Sequence, residues 1–263
     1  MAEKRTVTRL EEGVSLIRTV EFECGIWLVE GSDAALLIDT GLGAGDLRAE
    51  VEALLGGKPY KVVNTHGHGD HSGGNYRFDA VYMHSGAKEE ADLAFRMTER
   101  FVAAEELPAI KQRMAERPTE QRFVKEGDLF ELGGRTLEVI ETPGHTTGDI
   151  TLFDRDNGLL FCGDSMVKVM DILLVFPHTA SVAIYAESMR KLAALEGVRG
   201  LCTGHDRVVM PRGFMLDCLA CAEDILAGAA ETEEAKCPIP GIEGCLRARH
   251  GEASILFRND KIR

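Results

Sequence analysis

The stretch NTHGHGDHSGGN, Asn64 to Asn75, places three of the chain's eight histidines and an aspartate inside six residues. His66, His68, Asp70 and His71 form H-x-H-x-D-H, with Gly67 and Gly69 between the ligand-type side chains. Imidazole nitrogen and carboxylate oxygen are donor atoms suited to zinc and other first-row divalent ions. Intervening glycines let the backbone bend so that alternate side chains converge. On a regular strand His66, His68 and Asp70 would point one way and His71 the other, whereas a loop at a strand end can divide the four between two neighbouring ions. A polar loop that caps a strand accounts for one histidine, not for three with a carboxylate at this spacing.

Outward from this stretch, the pattern is one of strands with interspersed helices. YKVVNTH is a buried strand running straight into the histidine loop, and AVYMH is a second strand beyond it. Upstream, CGIWLVEG and AALLIDTG are strands separated by the turn Gly31-Ser32-Asp33. Gly45 to Leu55 reads as a helix with Leu47, Val51, Leu54 and Leu55 on one face. Residues 86–116 are charged, alanine-rich and helical, with Pro108 marking a break. The strands DLFELGG, RTLEVIETPGH, DITLFDRDNG and LLFCGDS follow, with hairpin signals at Gly133-Gly134 and Asp156-Asn157-Gly158. SVAIYAESMRKLAAL is an amphipathic helix, GLCTGH a short strand, PRGFMLDCLACAEDILAG a helix and ASILFRNDKI a last strand. This order predicts an α+β chain: two mixed β-sheets packed face to face with helices outside, a four-layer αββα sandwich. Residues 1–263 read as one domain, with 86–116 as a helical insertion over one end.

Three further ligand-type residues stand where predicted strands give way to loops: His145 in ETPGHTTGD, Asp164 in FCGDS and His205 in CTGHD. Each alone is ordinary turn chemistry; together they complete the donor set that two ions need. With these residues the chain resembles the metallo-β-lactamase superfamily of hydrolases, in particular the binuclear branch similar to glyoxalase II. The resemblance runs from about Gly13 to Pro211 and rests on LIDTG, THGHGDHSGGN, TPGHTTGD, CGDS and TGH. It implies the αββα fold and two divalent ions, zinc foremost, with iron or manganese as further options. His66, His68 and His145 would bind the first ion and Asp70, His71 and His205 the second, with Asp164 bridging the two. Asp70 and Asp164 are thus the carboxylates placed at the chemistry, and Asp39 in LIDTG matches a position that orients a ligand by hydrogen bonding.

The resemblance implies hydrolysis of an ester, thioester, lactone or related bond of a small molecule by a hydroxide shared between the ions. The carboxylate at 164 and the lack of an apolar leader argue against a secreted β-lactamase. Glyoxalase II carries a longer, basic C-terminal part than the residues after His205 provide here, so glutathione thioesters lack support. The alternative is a mononuclear iron persulfide dioxygenase, which would use His66, His145 and Asp164 alone. An RNA or phosphodiester hydrolase would need a basic channel, and a net charge of −13 offers none; nucleic acid is not an expected partner. No G-x-S-x-G nucleophile motif is present.

His178 and Phe176, in the apolar segment SMVKVMDILLVFPH, are candidates for the substrate pocket, and that segment suggests an apolar acyl group as substrate side chain. His84 reads as structural and His250 as surface. Seven cysteines, an odd number, fit reduced thiols of a cytoplasmic protein. Cys218, Cys221, Cys237 and Cys245 could be arranged as a four-thiolate site, but no second C-x-x-C completes it. No apolar run is long enough to span a bilayer, and oligomeric state is not encoded in any recognisable feature.

Overall fold

The computed structural model describes residues 5–18 and 24–263. The chain falls into two compact units, Met1–Val139 and Ile140–Arg263.

In the first unit, β1 (Thr6–Glu11), β2 (Val14–Arg18), β3 (Gly25–Glu30), β4 (Ala35–Ile38), β5 (Tyr60–Val63), β6 (Ala80–His84) and β7 (Glu120–Val124) form one sheet in sequence order. The first four run antiparallel and β4 to β7 run parallel. Parallel neighbours need crossovers. Helix α1 (Leu47–Leu55) serves β4 to β5, α2 (Gly69–Ser72) lies between β5 and β6, and α3 (Lys88–Leu93), α4 (Phe95–Thr98) and α5 (Leu107–Glu116) lie between β6 and β7. The last three show that the 86–116 segment is helical, in three short pieces. Asp46 caps α1 by accepting from the Ala49 N–H, and Gly56 ends it in the left-handed region. Leu47, Val51 and Leu55 enter the core with Ile17, Leu28 and Leu37. Leu54, which the helical pattern put on the same face, is instead 46% exposed; the burying stripe is narrower than the sequence suggested. The hairpin of β8 (Leu129–Glu131) and β9 (Thr136–Glu141) turns on Gly133 and Gly134, both at positive φ.

In the second unit, β10 (Ile150–Asp154), β11 (Leu159–Gly163), β13 (Gly200–Thr203) and β14 (Met210–Pro211) form one sheet. A four-stranded sheet has the order β12 (Ile172–Leu174), β17 (Ala253–Arg258), β16 (Cys245–His250), β15 (Thr232–Ala235). Helices α6 (Val182–Ala193) and α7 (Arg212–Ala227) bury Tyr185, Met189, Phe214 and Met215 in a core shared with Leu160 and Ile255. Of this four-stranded sheet the sequence pattern indicates β17 alone. TEEA lacks an apolar alternation, that of CLRARH is confined to Leu246 and Ala248 alternating with two arginines, and Ile172–Leu174, inside an apolar run with no strand boundary, form β12. The apolar segment from Ser165 to His178, expected to suit an apolar substrate group, is instead largely packed inside. Met166, Ile172 and Leu174 are buried in the main core, and Leu173 and Val175 in a second cluster with Leu256, so they cannot line an apolar pocket. Val169 and Met170 are the segment's exposed large apolar side chains.

All seven cysteines are reduced and buried. Cys218 and Cys221 sit in the α7 core, whereas Cys237 and Cys245 belong to the second cluster. Burial pushes the Cys218 thiol up strongly and that of Cys221 to about 11. Because the thiolate is the reactive form, native protein should yield few fast-reacting thiols to a disulfide reagent at pH 8, and all seven after guanidinium unfolding. Rapid labelling of Cys218 or Cys221 before unfolding would contradict this packing of α7.

Candidate metal centre

In the first unit the ligand-type residues begin where β5 ends. The strand stops at Val63, Asn64 to Gly67 form an irregular bend that carries His66, and the chain then turns into the single helical turn of α2 with His68 at its cap. The stretch expected as a loop is irregular from Asn64 to His68 and then forms a helical turn, Gly69–Ser72. That change of geometry sends His71 off the strand alternation. The rings of His66 and His71 lie 4.2 Å apart and those of His66 and His68 4.9 Å. His66 and His68 bring one ring nitrogen each to within 4.8 Å, as Asp70 and His71 do with a carboxylate oxygen and a ring nitrogen.

Asp39 anchors this cluster. It is the one non-glycine residue at clearly positive φ (66°) among the described residues, at the sharp exit from β4. Its Oδ1 accepts the Thr65 backbone N–H and its Oδ2 the Thr65 hydroxyl, both at 2.8 Å. Oδ2 also lies 2.8 Å from His71 Nδ1. A carboxylate can only accept, so Nδ1 carries the hydrogen and Nε2 keeps its lone pair on the far side of the ring. That Nε2 is 3.8 Å from Asp70 Oδ2. The His71 carbonyl in turn accepts from Thr40 N–H (2.7 Å) and Asn64 Nδ2 (3.1 Å). Asn75 links Thr40 to Asn64 side chain to side chain, a brace the sequence reading missed although both asparagines flank the histidine stretch.

The glycines here are required for a different reason than bending. Neither Gly67 nor Gly69 has positive φ. A Cβ on Gly67 would come to 2.4 Å from the Ala87 carbonyl oxygen, and one on Gly69 to 2.9 Å from Met97 Cβ. The helices of the 86–116 segment press directly on the ligand turn, and only glycine admits that approach.

In the second unit His145, Asp164 and His205 come from the loops after β9, β11 and β13. His145 Nδ1 donates to the Leu173 carbonyl at 2.9 Å, which turns Nε2 towards Asp164. Asp164 Oδ2 lies 3.8 Å from His145 Nε2 and 3.3 Å from His205 Nε2. Asp149, in the quoted TPGHTTGD, fixes the His145 loop by accepting the Thr146 N–H (2.9 Å) and hydroxyl (2.6 Å). Asp206 does the same behind His205, accepting from the Thr203 hydroxyl and the Lys168 N–H. Phe176 meets the His145 ring edge-on at 5.7 Å and stacks on His178 at 5.2 Å. Phe176 thus touches a ligand-type histidine, and His178 stands directly behind it. His84 caps the turn at Gly86, and His250 pairs with Asp224 in the open.

His66, His71, His145 and His205 are buried. Ligands about 2.0–2.2 Å from a tetrahedral zinc stand roughly 3.3–3.6 Å apart. The 3.8 Å pair of the first unit and the 3.8 and 3.3 Å pairs of the second lie near that spacing, and the donor types are those of a zinc-class ion.

The family model for the metallo-beta-lactamase superfamily matches residues 21–205, an interval containing every one of these seven side chains. The chain belongs to the metallo-beta-lactamase superfamily. Acyl-coenzyme A thioesterase MBLAC2 of Gallus gallus is 34% identical over 71% of this chain and 74% of its own length. For the Homo sapiens protein of that name the figures are 33%, 59% and 64%. The hydroxyacylglutathione hydrolase of Rhodospirillum rubrum is 32% identical over 69% of this chain and 61% of its own. Among solved structures, a family protein from Thermus thermophilus superposes with a TM-score of 0.61 at 21% identity, covering 83% of this chain and 82% of its own. The FIM-1 enzyme of Pseudomonas aeruginosa gives 0.63 at 17%, covering 85% and 97%. These structural likenesses establish the fold, α+β with mixed sheets and helices.

In such a family a carboxylate that orients a ligand imidazole affects metal affinity by roughly 10- to 100-fold. Asp39→Asn should weaken zinc binding by that order in a chelator competition while leaving the far-ultraviolet circular dichroism unchanged. Unaltered zinc affinity would mean that the Asp39–His71 contact supports the backbone alone.

Proposed function

We propose that the chain is a metal-dependent hydrolase of thioesters working with two divalent ions, zinc foremost. The observation that carries this is the position of Asp164, one of whose oxygens stands within 3.8 Å of His145 Nε2 and 3.3 Å of His205 Nε2. A carboxylate oxygen so placed between two imidazoles is suited to bridging. His66, His68 and His145 would hold the first ion, and Asp70, His71 and His205 the second, with Asp164 shared. The match to the family model runs across the division between the two units, which supports reading them as halves of one catalytic domain. Ions held in this way lower the pKa of bound water towards about 7 and polarise a carbonyl.

The chain's own residues supply the rest. Asp70 and Asp164 offset the ions' charge, and the carbonyl of Leu173 and the carboxylate of Asp39 fix the tautomers of His145 and His71. Phe176 and His178 form a stacked wall beside His145 against which the substrate's reacting end can lie. The thioester follows from the relatives: an acyl-coenzyme A and an acylglutathione are both S-acyl compounds, so the named hydrolases share the bond broken but not the carrier.

Protein purified without chelator or added metal should contain about two zinc ions per chain by elemental mass spectrometry and hydrolyse acyl thioesters. His66→Ala and Asp164→Ala should each lower kcat/KM by more than roughly 100-fold, and both should lose metal. One iron per chain with oxygen uptake on persulfides would replace this reading with the dioxygenase.

A further inference from the structure

The second unit contains an open cavity of about 500 Å³ that neither the ligand residues nor the Phe176–His178 wall enters. Nine residues line it. Lys168, Lys236, Arg247 and Arg249 are four of them, and Asp171 is the one carboxylate. In a chain with 30 basic and 43 acidic side chains, that is a local reversal of charge. Arg247 and Arg249 are two residues apart on β16 and so share a face. Asp171 fixes Arg247, accepting from Nε at 2.9 Å and from Nη2 at 2.7 Å. Glu233 pairs with both arginines from the neighbouring strand, and Glu252 pairs with Lys168. Lys236 is exposed and makes no ion pair among the described residues.

This cavity adjoins the ligand loops of the same unit. Leu173 lines it, and the carbonyl of Leu173 holds His145 Nδ1. The backbone N–H of Lys168 donates to Asp206, the neighbour of His205. Lys168 is also only four residues beyond Asp164, a chain reach of at most about 14 Å.

We infer that this cavity binds the phosphate groups of the thioester's carrier, so that the protein selects substrates of the coenzyme A class. The inference rests on the thioester reading above. A diphosphate with a further ribose phosphate presents several negative oxygens at the end of a long flexible arm, which fits a cluster of cations set apart from the ligand residues. Glutathione, with two carboxylates and an ammonium, presents far less negative charge. Arg247 is pre-positioned by Asp171, while Lys168, Lys236 and Arg249 reach solvent and can close on the phosphates, displacing Glu233 and Glu252 from their exposed pairs, which are individually weak. Met170 and Pro238 add apolar surface on which a purine can rest.

The test is calorimetric binding of coenzyme A and of pantetheine, the same arm without its phosphates, to the full chain and to Lys236→Glu/Arg249→Glu. Neither side chain is buried, and matched thermal melts check the fold of the variant. Coenzyme A should bind the wild type, weaken as salt is raised, and lose at least roughly tenfold in affinity in the double variant; pantetheine should bind weakly and equally to both. Wild-type protein that binds coenzyme A no better than pantetheine, or a variant that binds it as well as the wild type, overturns the inference. Turnover of an acyl-pantetheine by the same proteins separates the two claims. Hydrolysis without a preference for the phosphorylated carrier keeps the reaction and removes the subsite. Charge-dependent binding of coenzyme A with no hydrolysis of either thioester keeps the subsite and removes the reaction.

Discussion

The carboxylate of Asp39 is the contact on which the first unit's ligand cluster depends. It sits at the exit of β4 in a backbone conformation that non-glycine residues seldom adopt. Its two oxygens take three hydrogen bonds, two from Thr65 and one from His71. The parallel pairing of β4 and β5 brings the two strand ends side by side, so the aspartate at one reaches the threonine and histidine that follow the other. The strain at Asp39 is offset by fixing in one step the end of a strand, a helical turn and the tautomer of an imidazole. In the second unit a backbone carbonyl, that of Leu173, does the corresponding work for His145.

Crowding is the second constraint. The short helices of the 86–116 segment touch the ligand turn so closely that Gly67 and Gly69 have no room for a side chain. The Thr98 hydroxyl reaches the Gly73 carbonyl at 3.1 Å from the same segment. This segment is therefore part of what holds the histidines in place. Its Val102 and Ile110 pack with Tyr76 in a small apolar cluster of their own.

The second unit divides its labour between two sheets. The first presents Asp164 and His205 at the ends of adjacent parallel strands, β11 and β13. The four-stranded sheet carries the basic cavity on β16 and joins it to the ligand loops through β12, whose buried leucines make that joint rigid. Residues such as Asp149 and Asp206 do not touch the ligand atoms, but each ties down the turn that bears a histidine.

The candidate ligands were legible because metal chemistry is written in residue type and short spacing: His66, His68, Asp70 and His71 stand within six residues, and His145, Asp164 and His205 each follow an apolar strand. The main strands and the helices α1, α6 and α7 were legible for a similar reason, since their apolar periodicity is a local property. Beyond reach were β15 and β16, rich in charged residues and placed by pairing in turn, β16 on β17 and β15 on β16. So was the burial of Ile172 to Val175, because an apolar run looks the same whether it lines a pocket or fills a core. The four cations of the cavity lie between positions 168 and 249 with no motif among them. Their meeting depends on strand pairing over long sequence separations, and that is what tertiary structure decides: the sequence by itself determined which atoms can bind a metal, while the fold determined which backbone holds each of them and where the charge collects.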